Sequence, residues 1–234
     1  MIKNDTLSLI NKDEMNFKNL FSICIGNQYL HQRRFIDYIG KYSHLDVDLT
    51  MGILLLDEKK FNIECIGSTS KYDSYWCSSE IEKVIPDEYV NLMIKTRQIL
   101  EKINILNFLT DSKIVVEGDI NGYNLSMIYI AFCPEEVAYF CANEPASGSS
   151  VYMFVKNLPK NIFRPIESYE LFGVINEIIS TFNVDSKLMV KALLMESDIA
   201  FEEENDKIIA IFPERSKIEF EFEGNNFSGM HGVL

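Results

Sequence analysis

The chain has 234 residues, 47% apolar and 24% charged, which is an ordinary globular balance and enough to bury a core as one large domain or two small ones. A net charge of −13 and a pI near 4.7 argue against a nucleic-acid binder, which needs a basic stripe, and against an anionic membrane surface. The opening "MIKNDTLSLINKDEMNF" lacks a sustained apolar stretch with a cleavage site, and "SMIYIAF" is far too short to span a bilayer. A cytoplasmic location is the expectation.

From about Glu14 to Gly40, Phe17, Phe21, Cys24, Gln28, His31, Phe35 and Tyr38 recur at steps of four and three, which predicts one face of a helix. Gly26 interrupts it. In "HLDVDL" the apolar residues Leu45, Val47 and Leu49 alternate with polar ones, which reads as a half-buried strand. "GILLL" and "FNIECI" read as two more, turning at Asp57 to Lys60, and a further strand passes through Tyr75, Trp76 and Cys77. Short connections make this an antiparallel meander. Pro86, followed by Asp87 and Glu88, is a helix start with proline at its first position and acids at the positive dipole end. Tyr89, Leu92, Thr96, Ile99 and Ile103 carry the spacing onward.

A second helix is expected from Asn124 to Phe132, stopped by Pro134, and then strands at "VAYFCA" and "VYMFV" joined by the loop "NEPASGSS". The segment "KNLPKNIFRPIES" carries two prolines and little periodicity. A boundary there divides the chain into a module of residues 1–158 and a C-terminal module of residues 159–234, packed as one domain or apart. In the second, Ser168 can cap a helix with Leu171, Ile175, Ile178 and Phe182 on its apolar side. Asp185 can cap the next, with Val184 and Met189 as a hydrophobic staple. "DIAFEEE", "KIIAIFP" and "KIEFEFE" then read as three strands. The fold class is α+β: an antiparallel sheet with helices on one face, followed by a helix-helix-three-strand C-terminal module.

Chemistry-bearing motifs are sparse. Of three histidines, His31 shares the first helix's apolar side, His44 opens a strand, and His231 lies in "SGMHGVL". No spacing of His and Cys suggests a metal set, and no glycine motif suggests a phosphate cradle, so no metal and no cofactor are assigned. Cys24, Cys65, Cys77, Cys133 and Cys141 are odd in number and widely spaced, which suits reduced, mostly buried thiols. Acids beside Cys133 in "CPEE" would raise its pKa and oppose a nucleophile. Arg33 and Arg34 read as an anion contact or, in a chain this acidic, as a solvated helix edge that pairs internally.

The stretch "IECIGSTSKYDSYWCSSEIEKVIPDEY" is similar to a group of uncharacterised bacterial proteins that form a domain of unknown function. Their pattern is a strand ending in Leu-Gly-Ser, then Trp-x-Trp-Ala-x-Asn, then an Ile-Pro that starts a helix. Ile66-Gly67-Ser68, Trp76 and Ile85-Pro86 stand at those positions. "ILNFLT" and "AYFCANEPASGSSVYMFV" continue the resemblance, which covers about His44 to Leu158. Cys77 to Glu80 departs from the second half of the Trp motif, and Cys141 stands where an arginine is usual. The resemblance implies a fold grouping and no reaction. It places Trp76 on a strand before a helix, as a core or core-rim anchor whose indole N–H finds an acceptor, packed against the helix begun by Pro86.

Acidity is concentrated near the C-terminus. Glu196 to Glu223 holds ten acids and three bases, more than half of the net charge. Alternation turns Ile218, Phe220 and Phe222 one way and Glu219, Glu221 and Glu223 the other, with Asp198, Glu202 and Glu204 able to share that acidic face. This favours a soluble binding protein without catalytic activity, immunity-like or regulatory, whose acidic face (Asp198, Glu202, Glu204, Glu219, Glu221, Glu223) is either a solvated surface that keeps the protein soluble or the docking site of a basic protein. It expects no nucleic acid and no membrane as partner, and leaves the oligomeric state open. The alternative is a hydrolase-like small-molecule enzyme with carboxylates converging from distant strands.

Overall fold

The structure is a computed structural model and describes residues 1–70, 73–77, 85–144, 148–212 and 216–233. Its α+β elements group into two compact units, one of residues 31–163 with Met1, the other of residues 2–30 and 164–234. A long helix, α2 (Phe17–Ile39), contributes its first part to the second unit and its last turns to the first. No helix among the described residues is long and apolar enough to cross a membrane.

The first unit is built on an antiparallel sheet of β1 (Leu45–Asp48), β2 (Ile53–Leu56), β3 (Lys59–Ser70), β4 (Asp73–Cys77), β5 (Lys113–Val115), β6 (Ala138–Glu144) and β7 (Ser149–Lys156). The long β3 organises it: β2 pairs with its first residues, β4 with its last, and β7 runs along residues 62–69. Leu54, Leu56, Phe61, Ile63, Met153 and Val155 form one buried cluster with Phe35 and Ile39 of α2, as the alternation in these strands requires. The side chain of Gln32 on α2 accepts from the Tyr139 N–H and donates to its carbonyl at 3.0 and 2.9 Å, so a helix residue satisfies the backbone of β6 as a neighbouring strand would.

Two helices complete this unit. In α4 (Gly122–Phe132) Asn121 caps the first turn through the Asn124 N–H, and the helix is buried almost throughout. The other, α3 (Asn91–Ile103), departs from expectation at its start. Pro86 precedes a short 3-10 turn, Asp87–Tyr89, and the α-helix begins only at Asn91. Its N-terminus is instead capped from β3: the Glu64 carboxylate, nearly inaccessible to solvent, accepts from the Leu92 N–H at 2.7 Å and from the Lys156 ammonium at 2.5 Å. Leu92, Met93, Thr96 and Leu100 are buried, while Ile99 and Ile103 are half-buried.

Trp76 is fully buried. Its ring lies 4.8 Å from that of Tyr152 on β7 and 6.2 Å from that of Tyr129 on α4. A Cβ at Gly67 would stand 2.4 Å from the indole, so this glycine is what lets β3 pass beneath it. The indole N–H has no acceptor among the described residues, unlike the rim position read from sequence.

In the second unit, α1 (Asn4–Leu7), the start of α2, α5 (Ser168–Thr181) and α6 (Ser186–Glu196) accompany a four-stranded meander, β8 (Ala200–Glu204), β9 (Lys207–Ile211), β10 (Lys217–Glu223) and β11 (Asn226–Val233). Gly26, a weak point in the helical pattern, is the contact of α2 with α6: a Cβ there would stand 3.0 Å from Leu193 Cβ. Asp185 caps α6 as expected, accepting from the Leu188 N–H at 2.9 Å, with Val184 and Met189 both buried. For α5 the cap is Glu167 rather than Ser168, and the Glu170 carboxylate accepts from the Glu167 N–H. Lys3 fastens the chain start to the end of α6, donating to the Met195 carbonyl at 2.8 Å and pairing with Asp198.

Two strands go beyond the sequence reading. The three-residue β5 pairs with β4, and β11, formed by the glycine-containing segment around His231, is a fourth C-terminal strand paired with β10. In both cases the ladder of a neighbouring strand holds a segment whose own alternation is short or diluted by glycine.

Candidate functional site

The C-terminal meander sorts its residues by register. Ile208, Ala210, Phe220 and Phe222 are buried on one side, the side of Glu203, whose carboxylate is held below the usual range by the Lys191 ammonium and then Lys187, both of α6. Cross-strand partners share a face, so the other side carries the row Glu202–Ile209–Glu219–His231 and beside it Glu204–Lys207–Glu221–Gly229. Glu202, Glu204, Glu219 and Glu221 therefore stand on one outer face. Glu223 is exposed at the end of β10, opposite Asn226. Asp198 lies in the turn before β8 at a positive φ of 55°, bound to Lys3, and is not a strand residue.

Lys207 and His231, which the sequence reading left out of this face, stand against its carboxylates. Lys207 sits opposite Glu221 in the ladder, and its ammonium reaches Glu219 at 2.5 Å and Glu221 at 3.0 Å. Hydrogen bonds to Glu219 and then Glu221 push the Lys207 pKa up to about 12, and the same ammonium lowers that of Glu219. His231 stands opposite Glu219, its Nε2 3.4 Å from that carboxylate and 3.9 Å from Glu221. Glu202, Glu204 and Glu223 are exposed and have no ion-pair partner among the described residues. A lysine directly after the turn at Asn205 and Asp206, opening the apolar run of residues 208–211, was the available signal for the neutralised half.

Glu219, Glu221 and His231 also form a convergent set of metal-type ligands, with one atom of each within 4.8 Å of the others. The Lys207 ammonium already stands against both carboxylates, so a cation would have to displace it. A cavity of about 550 Å³ opens elsewhere in the same unit, beside the first turn of α6. Its polar lining is engaged internally: Lys187 and Lys191 hold Glu203, Asn225 donates to Asp185 at 2.6 Å, and the Asn16 side chain accepts from the Asn19 N–H.

The remaining chemistry-bearing residues divide by burial. Cys24, Cys65 and Cys133 are buried, and burial pushes the thiols of Cys65 and Cys133 up to about 12 and about 11, far from a thiolate at neutral pH. Cys77 and Cys141 are partly exposed, and His44 is exposed. His31 stands edge-on to Phe163, with ring centroids 5.2 Å apart. Burial, assisted by the Arg34 guanidinium, lowers its pKa from 6.5 to about 3. The folded chain therefore keeps His31 neutral where the unfolded chain takes up a proton. Stability should fall as pH drops from about 6.5 toward 3, by no more than ~1.4 kcal/mol per pH unit from this residue. Urea melts at pH 7.5 and 5.0 test this: His31→Gln should lose less between the two than the parent, and equal losses would assign the acid sensitivity to other groups.

A family model described as "Family of unknown function (DUF6882)" matches residues 18–158. The acidic face lies beyond that segment. No curated protein and no solved structure matches the chain.

Proposed function

We propose that this chain, which belongs to the family of unknown function DUF6882, acts as a binding protein without catalytic activity, immunity-like or regulatory in kind, and docks a basic protein on the outer face of its C-terminal sheet. The supporting observation is the distribution of charge on that face. Lys207 satisfies Glu219 and Glu221, while Glu202 and Glu204 on the edge strand, with Glu223 at the end of β10, stand exposed. Like charges clustered on one surface repel each other, and a cationic partner relieves that repulsion and is steered toward it.

The test uses Glu202, Glu204 and Glu223, which hold no ion pair among the described residues. Reversing Glu202, Glu204 and Glu223 to lysine should leave the melting temperature close to that of the parent, because exposed charges contribute little to stability. It should abolish capture of basic proteins from the native cell extract, and capture by the parent should weaken as salt rises. Recovery of the same proteins by the parent and the triple reversal would reduce the face to a solvated one.

A further inference from the structure

The outer face is not uniformly acidic. On β9, Ile209 lies between Glu202 and Glu219, and Ile211 lies between Ala200 and Lys217. Both isoleucines are half-buried and Ala200 is exposed, so the middle of the sheet presents a short apolar strip, with Glu202 and Glu204 along its β8 flank and Glu219, Glu221 and the exposed Lys217 along its β10 flank. The flanks differ. On the β10 side Glu219 and Glu221 are held by Lys207, while on the β8 side Glu202 and Glu204 have no ion-pair partner among the described residues. Strands stand about 4.8 Å apart, so the flanks are roughly 10 Å apart, close to the diameter of a helix.

We infer that the segment docked here is an amphipathic basic helix, an assignment that rests on the docking reading above. Its apolar side chains lie over Ala200, Ile209 and Ile211, and lysine or arginine heads along one edge reach Glu202 and Glu204. Helix residues three and four apart are separated by about 5–6 Å, and alternate strand residues by about 7 Å, so successive apolar side chains of the helix fall on Ile209 and Ile211. Long basic side chains bury their stems along the strip and keep their heads at the carboxylates. Charge alone would accept any polycation. The strip adds a demand for order in the partner's sequence.

Two 18-residue peptides of identical leucine, lysine and glutamine content serve as probes, one with leucines at i, i+3, i+4 and i+7, the other scrambled. Calorimetry with the full chain should show the striped peptide binding roughly tenfold tighter than the scrambled one. Ile209→Thr, which keeps a β-branched residue on the strand, should erase most of that difference while leaving the salt dependence unchanged. Glu202→Gln with Glu204→Gln should flatten the salt dependence for both peptides, and melts of both variants establish that they fold. Equal binding of the two peptides overturns the amphipathic helix and leaves the basic-partner reading standing. Tighter binding of an alternating leucine-lysine peptide that stays extended overturns the helix as occupant. Binding of neither basic peptide at low salt overturns the docking reading and this inference with it.

Discussion

Replacing Trp76 with alanine is expected to lower the unfolding free energy of the first unit by about 3–5 kcal/mol, the cost of emptying a buried aromatic site. The side chain is fully buried between Tyr152 and Tyr129, and Gly67 beneath it has no atoms to move into the gap. Trp76→Phe should cost distinctly less. The indole N–H has no acceptor among the described residues, so its removal forfeits ring area and no hydrogen bond. Because Trp76 is the chain's single tryptophan, emission reports on this site alone and should be blue-shifted when folded. Urea melts followed by circular dichroism and by that emission check both variants. An alanine variant as stable as the parent would mean that the site is not core.

Glu64→Ala is expected to cost a comparable amount, about 3–5 kcal/mol, by a different mechanism. One carboxylate, 3% exposed, serves two partners: it caps α3 at the buried Leu92 N–H and it pairs with the half-buried Lys156. Alanine leaves an ammonium without its partner and a helix N-terminal N–H without an acceptor. Glu64→Gln keeps an acceptor for Leu92 and loses only the charge, so it should fall between the parent and alanine. In the background of Lys156→Met, Glu64→Gln should cost less than in the parent, since the uncompensated ammonium is gone. Additive losses in that cycle would show that the pair is not coupled and that the cap alone accounts for the effect.

Local chemistry made much of this chain legible. Phe17 to Tyr38 wrote out a helix through three-four spacing, and Asp185 announced the cap of α6 because its short carboxylate reaches an N–H three residues on. Alternation in "KIEFEFE" separated Phe220 and Phe222 from Glu219 and Glu221, since a strand turns successive side chains to opposite faces. The family resemblance and the absence of a diagnostic catalytic motif were also available from residue order. Where the reading fell short, the missing information lay far away in sequence. The cap of α3 comes from Glu64, 28 residues upstream, so Pro86 was read as the helix start that it only precedes. The partners of Trp76 are Tyr129 and Tyr152, brought to it by the pairing of β3 with β4 and β7.

The sequence by itself determined the α+β class, the strand and helix periods, and how much acid the C-terminal strands carry. Tertiary structure alone decided that β11 joins the meander and sets His231 opposite Glu219, that Lys207 quiets half of the acidic face, and that Ile209 divides its flanks. The physical reason is the same in each case. Periodicity fixes which way a side chain points from its own backbone, whereas the neighbour it meets is fixed by register, a long-range choice set by the burial of Ile208, Ala210, Phe220 and Phe222 on the opposite side of the sheet.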